Sequence, residues 1–223
     1  MRRIALLVLL SSVGSCSAMA FAGEAGWRET VRQFAAQHFK HPAWGYSHSV
    51  RDYELARALA AADHVTLDDD VLFAAAYLHD MAAFAPWDRE KEGINHADEG
   101  ARVLDTVLKD TDFPSAKIDA VRNAIRTHMF DRKPTGAEAV YLHDADALDW
   151  LGAIGVARVM ALVDPNGADP DGPKAVRMLE RNLARVPDGV VSPAARQRLP
   201  ALKRELSDFL ENLRRETDGY RTL

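Results

Sequence analysis

The chain has 223 residues and a formal net charge of -5 at pH 7, with 48% hydrophobic and 27% charged residues. This composition is ordinary for a folded protein of one domain with a sizeable core. An acidic balance argues against binding to a nucleic-acid backbone, because such proteins usually carry a basic face. A small anionic substrate is compatible with the charge, since a local site can be cationic on an acidic protein.

The first residues are expected to lie outside the fold. Two arginines precede an apolar run at 4–10, which is too short to span a bilayer, and small residues follow up to Ala22. This order is typical of a secretory signal peptide. We therefore predict a signal peptide at 1–22, cleaved after Ala22 or alternatively after Ala20, export to the periplasm or the medium, and no membrane span after processing. An uncleaved N-terminus is the alternative.

Cys16 is the only cysteine in the chain. It ends the stretch VGSC, which resembles a loose bacterial lipoprotein box, so lipid anchoring at Cys16 is a minor alternative to cleavage. The mature domain then has no disulfide and no zinc site built from cysteines.

Helical periodicity dominates the rest of the chain, and no convincing alternating strand is found. We predict an all-α fold with a single domain over 23–223. The predicted helices are 24–40, 46–63, 68–84, 95–109, 114–130 and 192–216. Residues 137–163 are a long helical run rich in Ala and Leu, in which Gly152 and Gly155 allow either close packing or a bend. The stretch DPNGADPDGP at 164–173 is rich in Pro, Gly and Asp and is predicted to be a loop, which either caps a site or is a solvated connector.

Three histidines lie on apolar helical stripes. His79 and Asp80 follow an apolar run in VLFAAAYLHDMAAF, while His48 and His128 lie near the ends of other predicted helices. A buried ionisable group without a partner costs several kcal/mol, roughly, so three such imidazoles favour one shared partner. Imidazole and carboxylate groups together suit a divalent ion such as Mn, Fe, Zn, Ni or Co.

A later segment, HDADALDWLGAIGVAR, places three aspartates where the chain is expected to be buried. They are Asp144, Asp146 and Asp149. Surface capping explains one of them but hardly all three. Periodicity alone does not choose between Asp144 and Asp146 as a ligand.

The order His, His-Asp, Asp resembles the HD superfamily of metal-dependent phosphohydrolases. The matching stretches are SHSVRD, YLHDMA and DADALDWLG, supported by HADEGARVL, IRTH and GAIGVARV over about residues 30–165. The resemblance implies an HD-type helical bundle that holds a divalent ion (Mn, Mg, Co, Ni, Zn or Fe). It assigns the ligands His48, His79, Asp80 and Asp146, and so selects Asp146 over Asp144.

The resemblance also implies catalytic roles. Asp80 is expected to bridge the metal and the attacking water, and Arg51 is a candidate phosphate clamp, with a surface salt bridge as the alternative. His96 and His128 match the positions that hold a second ion in some members. One ion is expected; two ions bridged by Asp80 are the alternative.

Several features depart from the usual pattern of the superfamily. HDMAAF has neither Lys nor Gly after the HD pair. Enzymes of this superfamily often place an acidic helper residue soon after the pair, and the sequence does not choose among Asp88, Glu90 and Glu92 for this role. A signal peptide does not suit an intracellular nucleotide enzyme. The remaining histidines are expected to be structural or exposed, and these are His38, His41, His64 and His143. The two aromatics of AWGYSHS either line the site or pack in the core.

The leading functional hypothesis is an exported phosphohydrolase that cleaves a small phosphate ester, nucleotide or pyrophosphate with a metal-activated water. A di-iron HD-type oxygenase, which requires His96 and His128 as ligands, is the first alternative. A non-catalytic metal-binding module is the second. The sequence does not predict the oligomeric state.

Overall fold

The computed structural model describes residues 26–164 and 171–223. Within these ranges the chain forms α-helices and short 3-10 turns, and the prediction of an all-α domain is confirmed there. The helices are α1 Trp27–His38, α2 Tyr46–Ala62, α3 Asp69–Leu78, α4 His96–Val103, α5 Asp105–Leu108, α6 Ile118–Thr127, α7 Ala137–Asp149, α8 Gly152–Met160, α9 Gly172–Gly189 and α10 Pro193–Glu216. The predicted signal peptide and Cys16 lie outside the described residues, so export and the boundary at residue 22 stay predictions.

The Ala- and Leu-rich run 137–163 forms two helices. Helix α7 ends before Trp150, and Gly152 begins α8 with φ at +59°, a left-handed conformation that L side chains rarely adopt. A Cβ atom at position 152 would also lie 2.7 Å from a methyl carbon of Leu202. The glycine therefore turns the chain between the two helices, in agreement with the bend that the sequence left open at Gly152.

Helix α9 is not among the predicted helices. The sequence did carry a signal for it, because Asp171 accepts a hydrogen bond from the backbone N–H of Lys174 and a proline stands in the first turn. Ala175 and Leu179 face the core one turn apart. The loop-forming residues in front of the helix and Pro187 inside it obscure this periodicity.

Helix α3 is the centre of the bundle. Its N-terminus is capped by Asp68, whose carboxylate accepts the N–H groups of Asp70 and Val71, and every residue from Val71 to Leu78 is buried. It packs against α1, α2, α6 and α7. The helix ends at Leu78, earlier than predicted, and the 3-10 turn Met81–Ala83 follows. His79 and Asp80 thus lie where the central helix ends.

The helices α2, α4, α6 and α7 each bring one end toward the place where α3 ends. Helix α2 packs against α7, and α4 packs against α6 and against the turn after α3. Helices α9 and α10 cover α7 and α8.

None of the helices in the described ranges is both long and apolar enough to cross a membrane.

Candidate metal centre

Two helices end in a histidine that is fixed in the same way. His79 and His128 each follow the last residue of a helix, and the Nδ1 atom of each lies within hydrogen-bond distance of a carbonyl three residues earlier, at 2.9 Å and 2.6 Å. The carbonyl can only accept, so Nδ1 carries the proton. The Nε2 atom of each neutral ring then points its lone pair inward, as a metal ligand requires.

His48 is oriented by a carboxylate instead of a carbonyl. Its Nδ1 lies 2.8 Å from Oδ2 of Asp149, so Nδ1 donates and Nε2 is free to bind. Asp149 in turn accepts hydrogen bonds from Arg51 and from the buried Arg158. Although burial raises the pKa of Asp149, the hydrogen bonds from His48 and Arg51 and the charge of Arg158 hold it well below its usual range.

The first cluster contains the four ligands that the resemblance implies. Nε2 of His48 lies 3.2 Å from Nε2 of His79 and 3.3 Å from Oδ1 of Asp146, and Oδ2 of Asp80 lies 3.3 Å from Nε2 of His79. Ligand atoms that share one ion at the usual bond length of about 2.1 Å lie about 3.0–3.4 Å apart. Ligand atoms of His48, His79 and Asp146 lie within 4.8 Å of one another and could hold one cation, and Asp80 forms a neighbouring group of this kind with His79 and His128.

A second cluster lies beside the first and uses the other oxygen of Asp80. Oδ1 of Asp80 lies 3.3 Å from Nε2 of His96 and 3.6 Å from Nε2 of His128, and the two imidazole nitrogens are 3.3 Å apart. Helices α4 and α6 supply these two histidines. The Asp80 carboxylate thus faces both clusters, one oxygen to each, which is the geometry of a bridging ligand.

The donor set fits a divalent ion chemically as well as geometrically. The cluster consists of imidazole nitrogens and carboxylate oxygens, and it includes one further buried carboxylate, that of Asp52. Neither oxygen of Asp52 has a hydrogen-bond partner within the described residues. Sequence reasoning missed Asp52, although it stands one helical turn after His48 and its position in an apolar stripe was a signal. A buried carboxylate without a partner is strongly unfavourable unless a cation compensates it.

The other aspartates of the segment 143–158 have distinct uses. Asp144 accepts the backbone N–H groups of Val191 and Ser192 and so fixes the start of α10. His143 is also structural, with its ring nitrogens next to the carbonyls of Thr127 and Gly189. Only Asp146 of the three aspartates joins the ligand cluster.

Arg51 does not lie where a phosphate clamp is needed. Its guanidinium makes three hydrogen bonds to Asp149, at 2.9, 3.2 and 2.8 Å, and Arg51 is not among the residues that line the cavity next to the two clusters. Helix α2 directs it toward the end of α7. In this structure Arg51 therefore forms the salt bridge that was the alternative to a phosphate clamp.

A cavity of about 460 Å³ opens onto both clusters. Asp80, Asp146, His96 and His128 line it on one side. Its walls are mostly aromatic or thioether side chains and carry one basic and two acidic groups. These residues are Trp44, Phe130, Trp150, Met129, Met178, Arg181, Asp88 and Glu90.

Two of the walls are held rigidly. Trp44 stacks on His41 with ring centroids 3.5 Å apart, and Trp150 lies under the guanidinium of Arg158 at 3.6 Å. Of the two aromatics of AWGYSHS, Trp44 therefore lines the cavity, whereas Tyr46 packs against Tyr77. The first forms a site wall, and the second is half-buried and packs against the core.

Comparison with known protein families matches residues 45–151 to the HD domain. This range contains all six candidate ligands. Residues 45–151 are an HD domain. No curated protein matches the chain.

Several solved structures share the fold over most of the chain. A predicted HD superfamily hydrolase from an uncultured Thermotogales bacterium is 25% identical, with a TM-score of 0.58 over 85% of this chain and 90% of that one. Bacillus subtilis YpgQ, solved in complex with ADP, is 20% identical, with a TM-score of 0.64 over 86% and 98%. An HD-superfamily hydrolase from Bacillus thuringiensis is 22% identical, with a TM-score of 0.59 over 86% and 97%.

The charges of the HD site predict how metal binding depends on pH. In the metal-free protein burial lowers the pKa of His79, but the charge of Asp80 outweighs this effect and raises that pKa to about 9. An ion must bind the neutral ring, so at lower pH it displaces a proton. We expect the apparent affinity for Mn²⁺ to rise about tenfold per pH unit from about pH 7 to about pH 9.

Anaerobic calorimetric titrations at several pH values measure this slope. Titrations in buffers of different ionisation enthalpy count the protons released. An affinity that stays flat over this range, with no proton release, would contradict the assignment of His79 as a ligand.

Proposed function

We propose that this protein is a divalent-metal-dependent phosphohydrolase that acts on a small phosphate ester, with a nucleotide or pyrophosphate as the favoured substrate class. The observation that carries the proposal is the position of Asp80, whose carboxylate faces two imidazole-rich clusters and also lines a cavity large enough for a small molecule. A bound divalent ion would polarise the phosphoryl group and lower the pKa of a water molecule.

The cavity walls support a substrate with a flat apolar part and an anionic part. Trp44, Phe130 and Trp150 offer faces on which a base can stack, which favours nucleotides over sugar phosphates. The TM-score of 0.64 with YpgQ, which was solved with ADP, is consistent with a nucleotide-sized ligand in this fold.

Arg181 takes the role that was expected of Arg51. It is the basic residue among those that line the cavity, and it reaches there from α9. Its guanidinium would bind the phosphate and offset the acidic ligands, because arginine donates two parallel hydrogen bonds to phosphate oxygens.

Two acidic residues can move protons in the cavity. Asp88 and Glu90 both line it and can protonate a leaving group or accept a proton from the attacking water. Glu92 instead pairs with Arg89 and is not among the lining residues. The acidic helper is therefore narrowed to Asp88 or Glu90.

A substrate screen tests the proposal. Protein stripped with a chelator and reloaded with Mn²⁺, Co²⁺ or Mg²⁺ is assayed for phosphate or pyrophosphate release from nucleoside mono-, di- and triphosphates and from sugar phosphates. We expect metal-dependent release from at least one nucleotide. The absence of metal-dependent release across the whole panel would refute the proposal.

Replacing Arg181 by alanine is expected to raise KM for the phosphorylated substrate by about 10- to 100-fold, because a hydrogen bond to a charged group contributes about 1.5–3 kcal/mol. The change in kcat should be smaller. Arg185→Ala is the matched control, since Arg185 stands one turn later on α9 and is not among the residues that line this cavity. An unchanged KM in Arg181→Ala would remove Arg181 from phosphate binding.

A di-iron oxygenase is the second candidate, and the second cluster favours it. His96, His128 and the shared Asp80 supply the extra ligands that two irons need. Iron content and oxygen consumption of anaerobically purified protein separate the candidates. Two irons per chain with substrate-dependent oxygen uptake and no phosphate release would favour the oxygenase.

The non-catalytic alternative fits less well. Asp80 and Asp146 line an open cavity instead of being closed off by protein, so solvent and small molecules can reach the ligands. Structural metal sites are usually closed to solvent.

A further inference from the structure

Asp52 is a completely buried carboxylate that the HD pattern His, His-Asp, Asp does not include. It follows His48 by one turn of α2, and its side chain is 0% exposed. Oδ2 of Asp52 lies 3.1 Å from Nε2 of His48 and 3.7 Å from Nε2 of His79. Neither carboxylate oxygen has a hydrogen-bond partner among the described residues.

The tautomers of the two imidazoles make this contact unfavourable without a cation. Nδ1 of His48 donates to Asp149 and Nδ1 of His79 donates to the carbonyl of Ala76. In the neutral form that a metal ion requires, each ring presents a lone pair at Nε2, and both lone pairs face the Asp52 oxygen. Three such atoms converge in one buried space and need a positive charge between them, which protons supply in the metal-free protein and a divalent ion would supply in the loaded one.

We propose that Asp52 is a fifth protein ligand of the first cluster. Asp80 and Asp146 line the cavity, whereas Asp52 does not, so its oxygen would reach the ion from the protein interior and leave the cavity side open for substrate. The assignment rests on the metal binding that underlies the proposed function, but its test requires no turnover.

A fifth ligand changes which metal ion the first cluster binds most tightly. Asp52, Asp80 and Asp146 give it three carboxylates with two imidazoles, whereas the second cluster has two imidazoles and the shared Asp80. Additional anionic oxygens favour harder ions such as Mn²⁺, while Zn²⁺ is usually satisfied by four ligands. The first cluster should fill first and should hold Mn²⁺ more tightly than four ligands would.

Asp52→Asn tests the proposal, because asparagine keeps the shape and removes the charge. Calorimetric titration of the chelator-treated protein should give a Mn²⁺ affinity at least about 100-fold weaker, beyond the 10- to 100-fold losses typical of residues that only orient ligands. The loss of Zn²⁺ affinity should be smaller than the loss of Mn²⁺ affinity. A smaller Mn²⁺ loss, or equal losses for the two ions, overturns the assignment.

Thermal unfolding separates ligation from a structural role and from a failure to fold. Metal-free Asp52→Asn should still melt cooperatively, which shows that it folds, while the rise in Tm on adding Mn²⁺ should be smaller than in the wild type. A rise in Tm equal to that of the wild type overturns the proposal. Ser49→Ala is the control, because Ser49 is also completely buried on the same helix, its hydroxyl has no hydrogen-bond partner among the described residues, and its loss should leave metal affinity unchanged.

Discussion

Replacing Asp80 by alanine is expected to reduce metal-dependent phosphate release by at least about 1000-fold and to weaken metal binding in both clusters. The reason is that its two oxygens face different clusters, Oδ2 toward His79 and Oδ1 toward His96. A catalytic metal contributes several kcal/mol to stabilising charge in the transition state, and each 1.36 kcal/mol is a factor of ten in rate. Elemental analysis and initial rates measure the two effects.

Two further variants show whether the effect of Asp80→Ala comes from the loss of a ligand to both clusters. His96→Ala should lower the metal content of the second cluster only, so it separates loss of one ion from loss of two. Asp98→Asn is the matched control, because Asp98 stands on the same helix but bonds to Arg132 and lies outside both clusters. If Asp80→Ala retained full metal content and rate, the proposed centre would be wrong.

Asp149→Ala is expected to destabilise the protein by about 3–5 kcal/mol and to weaken metal binding by about 10- to 100-fold. Asp149 is buried and joins His48 to two arginines, one of which, Arg158, is itself only 3% exposed. Removing the carboxylate leaves that guanidinium charge without its partner. It also releases Nδ1 of His48, so the ring is no longer held in the tautomer that binds the ion.

Chemical denaturation and metal titration measure these two losses separately. Asp144→Ala is the matched control, because Asp144 is equally buried on α7 but binds the backbone at the start of α10. It should lower stability and leave metal affinity unchanged. A variant at Asp149 with normal affinity would show that His48 does not depend on it.

The sequence was informative about the fold wherever local patterns are strong. Apolar stripes predicted α2 almost to its ends, and the low content of alternating segments predicted an all-α domain. At Gly152 the sequence left a bend and close packing open and did not choose between them. The positive φ at that residue depends on how α8 turns to pack, which periodicity does not contain.

The candidate site was predictable to a similar extent. The order of His48, His79, Asp80 and Asp146 was enough to name a ligand set, because residue type and order do not depend on packing. The sequence did not choose between a phosphate clamp and a salt bridge for Arg51, because its partner in the structure, Asp149, lies 98 residues away in the chain. Helix periodicity says which face a residue occupies, and it does not say which distant helix covers that face.

The sequence by itself determined that this chain is helical, acidic and supplied with buried histidines and aspartates in the order of an HD domain. Tertiary structure decided how they are used: Asp80 faces two clusters, Asp149 orients His48, and Asp52 points inward at both imidazoles. It also brought Arg181 from α9 to the cavity. These roles arise from distances between helices far apart in the chain, and such distances are set by the packing of the whole bundle.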